Sequence, residues 1–176
     1  MRSERRPKWH PQPQAQARRN SAIAAIRAIL NAKDVIDTHR VELLSVCLWK
    51  LTEADGKYTT RFCSRHARDA GPEKLAHDHV WQRRALIDKL MTHPDDVLQI
   101  VENAIGCTVT REEHQRLTSE DRRGQSLEGW VRYAKAKIEV IDNSTGERLA
   151  LPTLTELSDG SLTCTSGAAH AKPATT

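Results

Sequence analysis

The sequence predicts an α+β protein in which a small β-hairpin or sheet packs with several short helices. Three observations predict this class. Apolar residues recur at helical spacing in several segments, two runs rich in β-forming residues flank a turn that ends in Gly56, and the two ends of the chain are polar. With 176 residues, of which 38% are hydrophobic, the chain is long enough for one core. We therefore expect one domain over residues 18–142, between an arm over 1–17 and a tail over 143–176.

The first predicted element is a helix. Ile23, Ile26 and Leu30 recur at helical spacing and mark one buried face. Asn20 or Ser21 is of the type that caps a helix N-terminus. The helix is expected to run from there to about residue 32.

A β-hairpin is predicted next. Residues 41–51 and 57–64 are rich in β-formers, and the four residues between Thr52 and Lys57 supply a turn whose Gly56 accepts a positive φ. The first run is apolar on both faces, so this strand is expected to be covered on both sides. A helix over 41–51 is the alternative.

The remaining elements are short. A helix is predicted over residues 80–91, and His93-Pro94 ends it and begins another that runs to about residue 104. Residues 107–109 favour a strand, and Thr110 followed by Glu113 matches a capping box at the start of a helix. A further helix from Ser126 and a strand over 138–141 complete the domain. The tail, rich in Thr, Ser, Gly and Ala, is expected to be mobile.

Positive charge is concentrated in the N-terminal arm. Residues 1–20 contain six basic residues and a single acid, Glu4, whereas the whole chain has a net charge of +4. The rest of the chain is therefore slightly acidic, and only the arm has the character of a nucleic-acid contact. We expect the arm to be flexible and to bind DNA or RNA phosphates through Arg2, Arg5, Arg6, Lys8, Arg18 and Arg19.

Nothing in the sequence predicts a membrane or exported protein. No stretch approaches the roughly 20 apolar residues of a membrane span, and the apolar run near residues 22–30 is interrupted by Arg27. The four cysteines lack the spacing of a zinc site or a disulfide framework. We therefore expect a cytoplasmic protein with no membrane partner.

Two clusters of polar residues are the candidates for chemistry. His77 and His79 flank Asp78, and Glu112 and His114 lie in the opening turn of a predicted helix. In an extended strand the two imidazoles share one face and Asp78 points away. Imidazole and carboxylate groups bind divalent metals such as Mg²⁺, Mn²⁺ or Zn²⁺, and imidazole also acts as a base near neutral pH. The alternative is that Asp78 caps a helix between solvated neighbours.

Several familiar catalytic patterns are absent from the sequence. It contains no phosphate-binding Gly loop, dinucleotide-binding Gly motif, nucleophile elbow or H-E-x-x-H zinc helix. Glu113 is explained by its capping role, and a carboxylate at Glu112 also favours the positive end of a helix. The two histidine clusters therefore remain the principal candidates.

The order Asp78-His79-Val80, then Asn103, then Val109-Thr110 leading to His114 resembles the HNH endonuclease (ββα-metal) pattern over about residues 75–117. The resemblance implies that His79 is the general base and that Asn103 holds it in position. It also implies that Asp78 and His114 bind the metal, which we extend to His77 and Glu112 as further candidate ligands. The implied chemistry is metal-assisted phosphodiester cleavage.

The function predicted from the sequence is thus a divalent-metal-dependent hydrolase of nucleic acid. Two alternatives remain open. In the first, the chain is a non-enzymatic nucleic-acid-binding or regulatory module that uses the basic arm. In the second, it is a protein–protein adaptor in which the arm is a docking tail. Whether the chain is an enzyme depends on whether the two clusters meet in space.

Overall fold

The computed structural model describes residues 9–122, 128–156 and 162–165. The helices are α1 (Ala15–Asn31), α2 (Asp37–Thr52), α3 (Arg65–Asp69), α4 (Arg83–Thr92), α5 (Val97–Val101), α6 (Arg111–Arg122) and α7 (Trp130–Lys135). The strands are β1 (Phe62–Ser64), β2 (Leu75–His79), β3 (Gly106–Thr110), β4 (Val140–Asp142), β5 (Glu147–Arg148), β6 (Thr153–Glu156) and β7 (Leu162–Thr165).

Five strands form a mixed sheet in the order β2-β3-β1-β4-β5. β3 is antiparallel to β2 and parallel to β1, whereas β1 and β4, and β4 and β5, are antiparallel pairs. β6 and β7 pair with each other as a separate two-stranded unit. The predicted α+β class is therefore confirmed, and β2, which carries the first histidine cluster, is an outer strand.

The described residues form two hydrophobic cores. Leucines from α2 and α4 pack with Ile26 of α1 and with α5 in the first core. Cys107 and Val109 of β3 pack with Leu117 of α6 and Tyr133 of α7 in the second. The first core thus joins helices to one another, whereas the second joins the sheet to α6 and α7.

The predicted hairpin over residues 41–51 and 57–64 is wrong. Residues 41–51 lie within α2, and only Phe62–Ser64 of the second run forms a strand. Leu44, Leu48 and Leu51 follow one another at helical spacing and are almost fully buried, whereas Leu43 is 45% exposed. A run with many apolar residues does not by itself show its period, and here the packing against α1 selects the helix.

Most other predicted elements are present with shifted boundaries. α1 begins at Ala15, before the predicted caps Asn20 and Ser21, and β3 contains the predicted strand. α7 begins at Trp130, and the predicted start at Ser126 lies outside the described residues. The pairing of β4 with β5 continues the sheet beyond residue 142, where the domain was predicted to end.

The described N-terminal segment begins at Trp9, which is hydrogen-bonded to the body of the protein. The Trp9 backbone N–H donates to the Asn143 carbonyl at 2.9 Å, and its indole Nε1–H donates to the Thr59 carbonyl at 2.7 Å. Part of the predicted arm is therefore attached to the sheet. Arg2, Arg5, Arg6 and Lys8 lie outside the described residues.

Candidate functional site

Strand β2 divides the first histidine cluster between the two faces of the sheet, as the alternation of an extended strand predicts. The rings of His77 and His79 lie on one face with their centroids 5.3 Å apart. Asp78 points to the other face, where it contacts residues of α6 and α7. The cluster is thus two separate sites in space.

Asp78 and His114 are the two predicted residues that the fold brings together from separate clusters. Asp78 Oδ1 lies 3.6 Å from His114 Nε2. The Asp78 side chain is buried, whereas the His114 side chain is 43% exposed. The pair therefore joins a buried carboxylate to an imidazole that solvent and a ligand can reach.

The second carboxylate oxygen of Asp78 is held by α7. Tyr133 donates its hydroxyl to Asp78 Oδ2 at 2.6 Å, and Arg132 Nη1 donates to the same oxygen at 3.3 Å. Burial raises the pKa of Asp78 above its usual value, although Arg132 and Tyr133 oppose this rise. These contacts fix the carboxylate so that Oδ1 is turned towards His114.

Arg132 is itself surrounded by acceptors. Its Nε and Nη2 donate to the two carboxylate oxygens of Asp121 at 2.8 and 2.9 Å. Its Nη1 also donates to the backbone carbonyls of His79 and Val80 at 2.8 and 3.2 Å. Arg132 is almost completely buried, so its charge depends on these partners rather than on water.

On the opposite face, Thr52 of α2 links the two histidines. Its hydroxyl lies 3.0 Å from His77 Nε2 and 3.3 Å from His79 Nδ1. His77 Nδ1 lies 2.9 Å from the Lys57 carbonyl, which can only accept, so Nδ1 carries the proton. The Thr52 hydroxyl also lies 3.0 Å from the Trp49 carbonyl, and its one hydrogen can be donated either to that carbonyl or to His77 Nε2.

The other ring nitrogen of His79, Nε2, has no such contact. That atom is buried and has no hydrogen-bond partner among the described residues. Burial, together with the neighbouring His77 and Arg83, lowers the pKa of His79 to about 3. His79 is therefore a neutral imidazole, packed edge-on against the Trp49 ring at 5.2 Å, on the face away from His114.

The remaining residues of the second cluster do not join the Asp78 and His114 pair. Glu112 is exposed, and none of the described contacts links it to Asp78 or His114. Glu113 forms the predicted capping box, because its backbone N–H donates to Thr110 Oγ1 at 3.2 Å and its Oε2 accepts from the Thr110 N–H at 2.9 Å. The same carboxylate accepts from the Ser64 hydroxyl, so its burial is fully explained by structure.

A divalent cation was predicted to bind these clusters, and the donor set limits which kind fits. Among the described residues, no three His, Cys, Asp or Glu side chains are arranged to hold an ion. A closed zinc site, which needs three or four protein ligands, is therefore not formed by them. Mg²⁺ retains several waters and needs few protein ligands. Two ligand atoms that each lie about 2.1 Å from the ion, at right angles to each other, are about 3 Å apart. Asp78 Oδ1 and His114 Nε2 are 3.6 Å apart, which is wider than this spacing.

Two of the six residues predicted to bind nucleic acid are used within the fold. Arg18 Nη1 donates to the Ala54 carbonyl at 3.2 Å, and Arg19 Nη1 lies 3.5 Å from the Leu51 carbonyl at the end of α2. Basic side chains at a helix C-terminus commonly satisfy such carbonyls. Their presence in the sequence is thus accounted for without a ligand.

Three important residues of the site were missed by the sequence analysis: Thr52, Arg132 and Tyr133. Each lies at least 25 residues from the residue of the His77-Asp78-His79 cluster that it contacts. Thr52, rather than Asn103, lies beside His79. The one available signal was the pair Arg132-Tyr133 in a short helix, since a buried arginine and tyrosine require polar partners.

Comparison of the chain with protein-family models, with curated proteins and with solved structures finds no match in any of the three. Function is therefore inferred from the geometry of these side chains. Within the described part of the chain, no helix has the length and apolar character needed to cross a bilayer.

Proposed function

We propose that the protein is a divalent-metal-dependent phosphodiester hydrolase that acts on nucleic acid, with Asp78 and His114 as its metal-binding pair. The observation that carries the proposal is the 3.6 Å approach of Asp78 Oδ1 to His114 Nε2. The two residues lie on β2 and α6, far apart in sequence, and they are the two that the HNH resemblance makes metal ligands. Their convergence supports that resemblance.

The arrangement of elements gives further support. β2 and β3 are antiparallel and are followed directly by α6, which is the strand, strand and helix order of the ββα-metal pattern. α4 and α5 are inserted between the two strands. The insertion leaves the Asp78 and His114 pair in contact at one end of this unit.

The chain's own residues prepare the pair for a hydrated Mg²⁺ or Mn²⁺ ion. Tyr133 and Arg132 hold Asp78 Oδ2 and leave Oδ1 for the ion, while the exposure of His114 lets a phosphate approach. A bound divalent ion would stabilise the negative charge that develops on phosphate and the leaving oxygen. Because His79 Nε2 is enclosed on the opposite face, His79 transfers no proton in this reaction. Asp78 and His114 alone hold the metal ion.

The second candidate is a nucleic-acid-binding module without catalysis. It is favoured by the contacts of Arg132 and Tyr133 with Asp78. A carboxylate that is already neutralised by an arginine can belong to a stable structural network, and such a carboxylate needs no catalytic role. DNA or RNA is the proposed partner in both cases. The cytoplasm is the proposed compartment, since nucleic acid and reduced thiols such as Cys47 and Cys107 occur there.

Cleavage of supercoiled plasmid and of labelled RNA separates the two candidates. The purified full chain is expected to cleave at least one of them with Mg²⁺ or Mn²⁺ and to stop in EDTA. His114→Ala is expected to reduce the rate by about 100-fold or more, since metal ligands and positioned groups contribute at least this much. His93→Ala, which removes an exposed histidine at the end of α4, is the matched control and should retain wild-type activity. Binding of either substrate without cleavage under all metal conditions would favour the second candidate.

A further inference from the structure

A groove beside Trp9 differs in charge from the other grooves of the molecule. It has a volume of about 620 Å³. Its lining includes Trp9, His10, Tyr58, Thr60, Arg68 and Asn143, and no carboxylate among the described residues. Four other grooves of comparable size each include at least one, namely Asp55 and Glu102, Glu139, Glu53, or Glu42 and Asp88. We call it the Trp9 groove.

Two aromatic side chains stand at the Trp9 groove. The Trp9 indole is fixed by its hydrogen bond to the Thr59 carbonyl, which places it beside the residue that follows Tyr58. Tyr58 is 36% exposed, and Lys57 Nζ lies 5.4 Å from the centre of its ring. The bases of single-stranded nucleic acids stack on exposed aromatic rings, and nearby cations attract the phosphates.

The arginine of the Trp9 groove lacks an acidic partner. Arg68 makes no ion pair with any described residue. The neighbouring Arg61 and Arg65, by contrast, pair with Asp142 and Glu139 at 2.7 and 3.3 Å. An anionic ligand would therefore find an uncompensated positive charge in this groove and not beside those two arginines.

We propose that the Trp9 groove binds an unpaired nucleotide of a single-stranded nucleic acid. Its base stacks on Trp9 and Tyr58, and its phosphate is held near Arg68. Arg5, Arg6 and Lys8 directly precede Trp9 in the sequence, so the basic arm joins the body at this groove.

The Trp9 groove is separate from the proposed metal-binding pair. Cys63 and Thr108, which lie opposite each other on β1 and β3, line the groove on the face that carries His77. Asp78 and His114 lie on the other face. A nucleotide bound in the Trp9 groove would therefore lie away from the phosphodiester that reacts at Asp78 and His114. This inference shares the nucleic-acid partner of the proposed function but does not depend on the metal.

The test is fluorescence anisotropy of labelled oligothymidine, oligouridine and a duplex with the full chain at low salt in EDTA. Tyr58→Ala is expected to weaken binding of at least one single strand by about 5-fold to 100-fold, since stacking contributes about 1–3 kcal/mol per base. Duplex binding should change by less than about twofold. Trp9→Phe should retain single-strand binding because a ring remains, whereas Trp9→Ala should lose it.

Leu98→Ala is the matched control, because Leu98 is 55% exposed on α5 and lies outside the groove. Each variant is first checked for an unchanged melting temperature, and Tyr58→Ala carries the test if Trp9→Ala unfolds. Equal affinity of Tyr58→Ala and wild type for single strands, or an equal loss for single strands and duplex, would overturn the inference. Because EDTA prevents cleavage, single-strand binding that depends on Tyr58 would stand even if no metal ever produced cleavage.

Discussion

Replacing Arg132 with methionine is expected to lower the free energy of unfolding by about 3–5 kcal/mol. Arg132 is buried and donates to Asp78, to Asp121 and to two backbone carbonyls. Methionine keeps much of the apolar length of the side chain but removes every one of these donors. Asp78 would then be a buried carboxylate with only the Tyr133 hydroxyl as a strong donor, and such a charge is costly in a medium of low polarity. Urea denaturation of the two proteins measures the difference.

A matched control separates burial from charge. Arg65→Met also removes an arginine from an ion pair, with Glu139, but the Arg65 side chain is 69% exposed. It should cost less than about 1 kcal/mol, as exposed ion pairs do. Adding Asp78→Asn to Arg132→Met should recover part of the loss, because the unpaired charge is then removed. Similar costs for the two arginine variants would mean that the Asp78 and Arg132 contact is not an important buried pair.

Acidification from pH 7 to pH 5 is expected to reduce the free energy of unfolding by about 2 kcal/mol through His79 alone. Its pKa is lowered to about 3 in the folded protein, mainly by burial, against about 6.5 in an unfolded chain. The unfolded chain therefore binds more protons between these two values. The stabilisation is complete above pH 6.5 and is lost as the pH falls towards 3. The pKa of His77 is also lowered by burial, which adds a loss of the same sign.

The matched experiment compares the pH dependence of stability in wild type, His79→Gln and Leu98→Ala. The slope between pH 5 and 7 should become shallower in His79→Gln by the contribution of that one imidazole. Leu98→Ala, which changes an exposed side chain without a titratable group, should keep the wild-type slope. An unchanged slope in His79→Gln would show that His79 is not the buried neutral imidazole that its contacts with Thr52 and Trp49 indicate.

Local sequence signals predicted the parts of this structure that depend on neighbouring residues. The capping box of Thr110 and Glu113 was predictable because both partners lie within one helical turn. The opposite orientations of His77 and Asp78 followed from strand alternation alone. Both signals depend only on local backbone geometry.

Features that depend on tertiary packing were not predictable in the same way. The leucines of α2 are compatible with either a strand or a helix until α1 packs against them. Thr52 reaches the two histidines only because α2 ends beside β2, and Tyr133 reaches Asp78 from a helix 55 residues further along the chain. The sequence therefore indicated which residues are candidates for chemistry but not the partners that orient them.

The most direct test of the proposed metal site is an NMR titration of the histidine ring protons with Mn²⁺. If Asp78 and His114 bind the ion, substoichiometric Mn²⁺ should broaden the His114 resonances selectively, and Asp78→Asn should abolish this broadening. The exposed His93 serves as an internal reference and should broaden only at much higher Mn²⁺ concentration. Broadening of His93 and His114 at the same concentration, or no broadening of His114, would contradict a metal-binding role for the pair.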